Sequence, residues 1–145
     1  GLVVHFRHAG VWRYRDGIGW QQLTTANTSM ISVASDGVFA ADFAGEGVWR
    51  WEDASGWQQL TPSDATHLAI DTAGDVAASF NTGVFRYQDA SGWSLLSGGL
   101  AGALAMDANG NLVTDFTGLG VWFDSNQTGW QELTPADAAL LAVDI

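Results

Sequence analysis

Gly10-Val11-Trp12, Gly47-Val48-Trp49, Gly83-Val84-Phe85 and Gly120-Val121-Trp122 recur along the chain at intervals of 37, 36 and 37 residues. A second series, Gly19-Trp20, Gly56-Trp57, Gly92-Trp93 and Gly129-Trp130, keeps the same intervals, so seven of the eight tryptophans belong to the repeat and Trp51 stands outside both series. A period of this length restricts the chain to architectures in which one supersecondary unit is arrayed. A single unit cannot bury its own apolar faces and must close on its neighbours.

Each unit divides into four short segments rich in β-branched and aromatic residues, separated by Gly, Asn, Asp and Ser. The best-formed unit runs Leu68-Ala69-Ile70-Asp71, Val76 to Phe80, Val84-Phe85-Arg86-Tyr87 and Trp93-Ser94-Leu95-Leu96. Asp36-Gly37 and Asn109-Gly110 are hairpin signals that demand positive φ, with Ala73-Gly74 at the equivalent place. Asp53-Ala54-Ser55-Gly56 and Asp89-Ala90-Ser91-Gly92 mark a later tight polar turn. No stretch carries helical apolar spacing; Pro62 to Ala65 and Pro135 to Ala138 have room for one helical turn at most.

Four antiparallel strands in about 36 residues, repeated, are the blade pattern of a β-propeller. The sequence therefore predicts an all-β chain of four four-stranded blades in one domain, with repeat units at about 1–36, 37–73, 74–109 and 110–145. Small residues crowd each first segment and tryptophans load the third and fourth, a wedge that is thin inside and thick at the rim. The chain starts at a second segment, Leu2 to Phe6, and ends at a first segment, Leu140 to Asp144. Pairing of these two would close a ring and remove its exposed edges. A monomeric four-bladed ring is favoured over a strand-exchanged eight-bladed dimer, and a fragment of a longer propeller or an engineered repeat is also compatible.

Composition narrows the partners. Five arginines and no lysine stand against 16 acidic residues, for a formal charge of −11, which disfavours nucleic acid and anionic membrane surfaces. No apolar run suits membrane insertion. Cysteine is absent, excluding disulfides and thiol chemistry.

Trp93-Ser94-Leu95-Leu96-Ser97-Gly98-Gly99-Leu100, followed by Leu104-Ala105-Met106-Asp107-Ala108-Asn109-Gly110-Asn111-Leu112, resembles tectonin-type propeller repeats. The second strand departs from that pattern, reading Ala-Ala-Asp-Phe over 40–43 and Ala-Ala-Ser-Phe over 77–80. The Gly-Val-Trp-Arg strand followed by Gly-Trp and Leu-Thr also resembles the periplasmic propellers of bacterial two-component sensors. The first resemblance implies a lectin or lipopolysaccharide binder and the second a ligand-reading or interaction module. Together they imply a secreted, cell-surface or periplasmic location.

Arg13, Arg50 and Arg86 follow the Gly-Val-aromatic step in three units, beside Trp12, Trp49, Trp51 and Phe85, while Trp122 is followed by Phe123. An arginine next to an indole is chemistry for a sugar, hydrogen-bonding its hydroxyls while the ring covers its apolar face. The same arginines also read as ion-paired structural residues, with Asp71, Asp107 and Asp144 as recurrent acidic partners. Trp20, Trp57, Trp93 and Trp130 read as packing between blades. His5, Asp42, Ser79 and Asp115 form a variable polar position, of which Asp42 and Asp115 join the candidate carbohydrate-binding residues.

Asp107, Asn109, Asn111 and Asp115 have an oxygen-rich spacing compatible with calcium, but they also read as a hairpin, and no other unit reproduces it. No metal site and no cofactor is expected. Sequence-local catalytic signatures are missing, so no enzyme is expected. The expected function is a multivalent carbohydrate-binding module, a lectin for neutral glycans, since several weak sites on one rigid scaffold raise avidity. The competing reading is a protein-interaction or sensor scaffold.

Overall fold

The structure, a computed structural model, describes all residues except Asp36, Gln127 and Ile145. Among the described residues every regular element is a strand, and no helix is long and apolar enough to cross a membrane. The chain divides into two compact units, residues 1–64 and 65–145.

The first unit holds two antiparallel meanders. β1 (Leu2–Phe6), β2 (Gly10–Arg15) and β3 (Gly19–Thr24) form a three-stranded sheet, and β4 (Met30–Ser35), β5 (Val38–Phe43), β6 (Gly47–Glu52) and β7 (Gly56–Thr61) a four-stranded one. The second unit has β8 (His67–Ile70), β9 (Val76–Phe80), β10 (Gly83–Gln88) and β11 (Gly92–Ser97) in one sheet. Its other sheet is β12 (Ala101–Met106), β13 (Leu112–Phe116), β14 (Gly120–Ser125) and β15 (Gly129–Thr134). These four meanders are the predicted blades.

Residues 140–144, expected as a closing strand, are not described as a strand. The proline segments stay within the expected limit of one helical turn and form none. Instead, Thr61 Oγ1 accepts the Ser63 amide at 3.2 Å and Thr134 Oγ1 accepts the Ala136 amide at 3.2 Å.

The Gly-Val-aromatic motif marks the same backbone event in each sheet. The register between third and fourth strands shifts at Val11/Trp12, Val48/Trp49, Val84/Phe85 and Val121/Trp122, a β-bulge directly before the aromatic. The preceding glycines have positive φ, +82° at both Gly47 and Gly120. A Cβ there would overlap the carbonyl oxygen of Thr61 or Thr134.

A Phe–Trp pair then fixes each meander from second to fourth strand. Phe6–Trp20, Phe43–Trp57, Phe80–Trp93 and Phe116–Trp130 meet edge to face with centroids 5.5, 5.3, 5.7 and 5.2 Å apart. The first unit's core gathers Val11, Phe39, Ala41 and Phe43 with partly buried Leu23, Trp49, Trp51 and Trp57. In the second unit Ala69, Ala77, Val84, Met106, Leu112 and Phe116 pack with Leu96, Trp122 and Trp130.

Candidate functional site

Alternation along the third strand decides the fate of the arginines. In β2, β6 and β10 the burial pattern is the same, with valine and arginine buried and the intervening aromatic half-buried. Arg13, Arg50 and Arg86 are only 2, 3 and 4 % exposed, so their guanidiniums belong to the interior. A buried guanidinium requires partners.

Turns and adjoining strands supply partners. Arg13 donates through both terminal nitrogens to Asp53, in the β6–β7 turn of the neighbouring sheet. Arg15 joins the same carboxylate at 2.6 Å, and the Trp51 indole donates to it at 3.1 Å. These donors, led by Arg13, hold the Asp53 carboxyl down at about 2 against the opposing effect of burial. Arg50 bonds Gln58 Oε1 at 3.0 Å and pairs with Glu52 at 3.0 Å.

Arg86 repeats the geometry of Arg13 exactly one 73-residue double repeat later, but with different chemistry. It donates to the side chain of Asn126 and to the carbonyl of Gly110. Asn126 stands where the first unit has Asp53, so Arg86 meets an amide rather than a carboxylate. Two buried carboxyls, Asp71 and Asp124, complete its surroundings. Burial pushes both above the ordinary aspartate range, and the charge of Arg86 pulls in the opposite direction.

The other predicted residues separate into interior and surface. Asp42 is buried and accepts from Ser29 Oγ at 2.7 Å, and Asp115 is buried and accepts the Ala138 amide at 2.8 Å. Trp12, Trp49 and Trp122 are half-buried, and each donates its indole N–H to a turn carbonyl: Ala9 at 2.8 Å, Glu46 at 3.1 Å and Leu119 at 3.0 Å. Trp51 is half-buried and stacks on Phe39, and Phe85 meets Phe80 edge-on. The structure therefore joins Arg13 and Trp51 at Asp53, with the Arg13 guanidinium buried. The calcium-like spacing is spent on a turn. Asp107 accepts the amides of Asn109 and Asn111, both at 2.9 Å, and the Asn111 side chain at 2.8 Å.

Among the described residues are three clefts, one of them a space of about 200 Å³ beside Leu2, Arg13, Val33 and Phe39 in the first unit. In the first unit, Thr24, Ala26, Phe43, Glu46, Trp49 and Trp57 line a space of about 130 Å³. In the second, Gln88, Asn109, Asn111, Ser125 and Asn126 line an open cleft of about 620 Å³. Sequence reasoning singled out Trp49 in the tryptophan-lined cleft, weighed Asn109 and Asn111 of the amide-lined cleft only as calcium-compatible oxygens, and passed over Gln88, Ser125 and Asn126. Gln88, Ser125 and Asn126 lie at a strand end or in the following turn, where polar residues ordinarily signal only a turn.

No protein-family model matches the chain, and no curated protein does so. Solved structures do. One, described as YCF48 bound to D1 peptide, is 17% identical with a TM-score of 0.54 over 82% of this chain and 45% of its own length. Another is the extracellular domain of the putative one component system BT4673 from B. thetaiotaomicron. It is 18% identical with a TM-score of 0.56, over 86% of this chain and 20% of its own length. The chain thus spans less than half the length of either structure. With the repeated meanders, these likenesses establish the β-propeller fold.

Proposed function

We propose that the chain is a non-catalytic binding module of the propeller class, whose amide-lined cleft takes an extended polypeptide segment. The observation that carries this reading is the cleft's lining of four carboxamides and one hydroxyl, Gln88, Asn109, Asn111, Asn126 and Ser125. Each such group both donates and accepts, which suits the alternating N–H and C=O groups of an extended chain. The Asn126 side chain is held by Arg86 and is therefore oriented before a ligand arrives. A solved propeller neighbour carrying a bound peptide, and a second that is a sensor's extracellular domain, support a scaffold reading by analogy of fold.

The neutral-glycan reading retains the half-buried Trp12, Trp49 and Trp122 but loses its arginines, which are consumed by internal partners. Parallel peptide-array and glycan-array binding on the purified protein separates the two. Peptide binding that weakens about ten-fold in Asn109→Ala, equivalent to about 1.4 kcal/mol, supports the proposal. Saccharide-inhibitable binding with no peptide signal overturns it and restores the lectin.

A further inference from the structure

The tryptophan cleft of the first unit differs from its counterpart in the second by one charge. Shifted by 73 residues, its lining of Thr24, Ala26, Phe43, Glu46, Trp49 and Trp57 becomes Ser97, Gly99, Phe116, Leu119, Trp122 and Trp130. The aromatic walls are kept. The carboxylate becomes a leucine.

The backbone at this position has a fixed duty that the side chain does not share. The Glu46 amide donates to Phe43 O at 2.8 Å, and its carbonyl accepts from Trp49 Nε1 at 3.1 Å and Gln59 Nε2 at 2.8 Å. Leu119 does the same with Phe116 O at 2.8 Å and Trp122 Nε1 at 3.0 Å. Ala9 does so too with Phe6 O at 2.9 Å, Trp12 Nε1 at 2.8 Å and Gln22 Nε2 at 2.8 Å. Alanine, glutamate and leucine all serve the fold here, so the turn does not require a carboxylate. Among the described residues the Glu46 carboxylate has no hydrogen-bond or ion-pair partner, and it is the one ionisable side chain lining the cleft.

The walls are rigid. Trp57 is wedged edge-on against Phe39, Phe43 and Trp51 at 5.3, 5.3 and 5.4 Å, and its indole N–H is tied to Leu23 O at 3.1 Å. Trp49 is tied to Glu46 O. Indole surface already fixed beside a free carboxylate attracts a planar cation, whose face stacks on the ring while its N–H groups reach the acid. The chain has no lysine and a formal charge of −11, which favours a positively charged partner. We infer that this cleft is a second binding site, independent of the amide-lined one, and that it takes an arginine side chain of a basic partner protein.

The test is a titration of the isotope-labelled intact chain, following the indole N–H resonances of Trp49 and Trp57. The probes are N-acetyl-arginine amide and its uncharged isostere N-acetyl-citrulline amide. The arginine probe is expected to shift both resonances saturably with a Kd on the order of millimolar, at least about ten-fold tighter than citrulline. Glu46→Leu, the residue of the matching turn, should weaken arginine about five-fold or more while the rest of the spectrum is unchanged. Should that variant fold poorly, Glu46→Gln carries the same expectation. Leu119→Glu should confer the response on Trp122 and Trp130. Equal binding of arginine and citrulline, an unchanged affinity in Glu46→Leu, or no saturable shift overturns the inference. Tighter binding of choline than of arginine would overturn the arginine assignment in favour of a quaternary ammonium ligand. None of these outcomes bears on the amide-lined cleft.

Discussion

Trp57 donates its indole N–H to the main-chain carbonyl of Leu23, in the neighbouring sheet, at 3.1 Å, and Trp130 does the same to Leu96 at 3.1 Å. The contact joins the two meanders within each unit, using a residue whose ring also packs on its own sheet's phenylalanine. Trp57→Phe preserves much of the apolar area but strands the carbonyl, and should lower stability by about 1–2 kcal/mol in urea unfolding. Trp20 holds the same place in the first sheet but is 49% exposed, so Trp20→Phe should change stability by less than about 0.5 kcal/mol. Equal losses in the two variants would show that the hydrogen bond to Leu23 contributes nothing beyond ring packing.

Asp53 supplies a pH dependence with a definite sign. Its folded-state pKa is held at about 2 against an ordinary value of 3.8, chiefly by Arg13. The stabilisation is therefore fully present above about pH 4 and disappears as pH falls toward about 2. The Asp53 side chain is 41% exposed, so water screens the pair, and Asp53→Asn should cost only on the order of 1 kcal/mol at neutral pH. Urea midpoints of the two proteins should converge between pH 4 and pH 2; a constant gap would mean that the ionised carboxylate is not what stabilises.

Gly45 and Gly47 flank the same turn and both have positive φ, +81° and +82°. A Cβ on Gly45 would meet nothing within 4 Å, whereas one on Gly47 would strike the Thr61 carbonyl and Pro62. Gly45→Ala should then cost about 1–2 kcal/mol from backbone conformation alone. Gly47→Ala should cost more than about 3 kcal/mol or prevent folding, because the bulge must open. Comparable thermal midpoints for the two variants would contradict the close approach.

His8 has a φ of +67°, at the position filled by Gly45 and Gly118 in the matching turns. Replacing it with glycine removes a left-handed penalty of about 1–2 kcal/mol and adds back about 0.5–1 kcal/mol of chain entropy. His8→Gly should therefore stabilise by about 0.5–1 kcal/mol in urea unfolding. A loss of stability would reveal that the imidazole makes a contact worth more than the strain.

The blades were legible because they are local. Each strand pairs with its neighbour in the chain, so the period, the alternation and the turn glycines all fall within one window of sequence. Gly74 and Gly110, read as hairpin glycines, do have positive φ, +88° and +84°. The reason for the Gly-Val-aromatic motif was not legible. The clash that demands Gly47 comes from Thr61 and Pro62, across a register shift that periodicity does not reveal.

The site was less legible for a related reason. Arg13 finds Asp53 forty residues away, and Arg86 finds Asn126 across the same separation. Aspartate in one turn and asparagine in its equivalent look like interchangeable turn residues until the neighbouring sheet brings an arginine to each. The sequence by itself determined the repeated meanders, the bulge-prone glycines, and an acidic, lysine-free chain, all consequences of near-neighbour chemistry. It took the fold to make the arginines interior, to line one cleft with four amides and a hydroxyl, and to leave Glu46 without a partner among the described residues beside two fixed indoles. Those facts depend on side chains from different strands meeting in space, and burial and pairing are properties of that meeting.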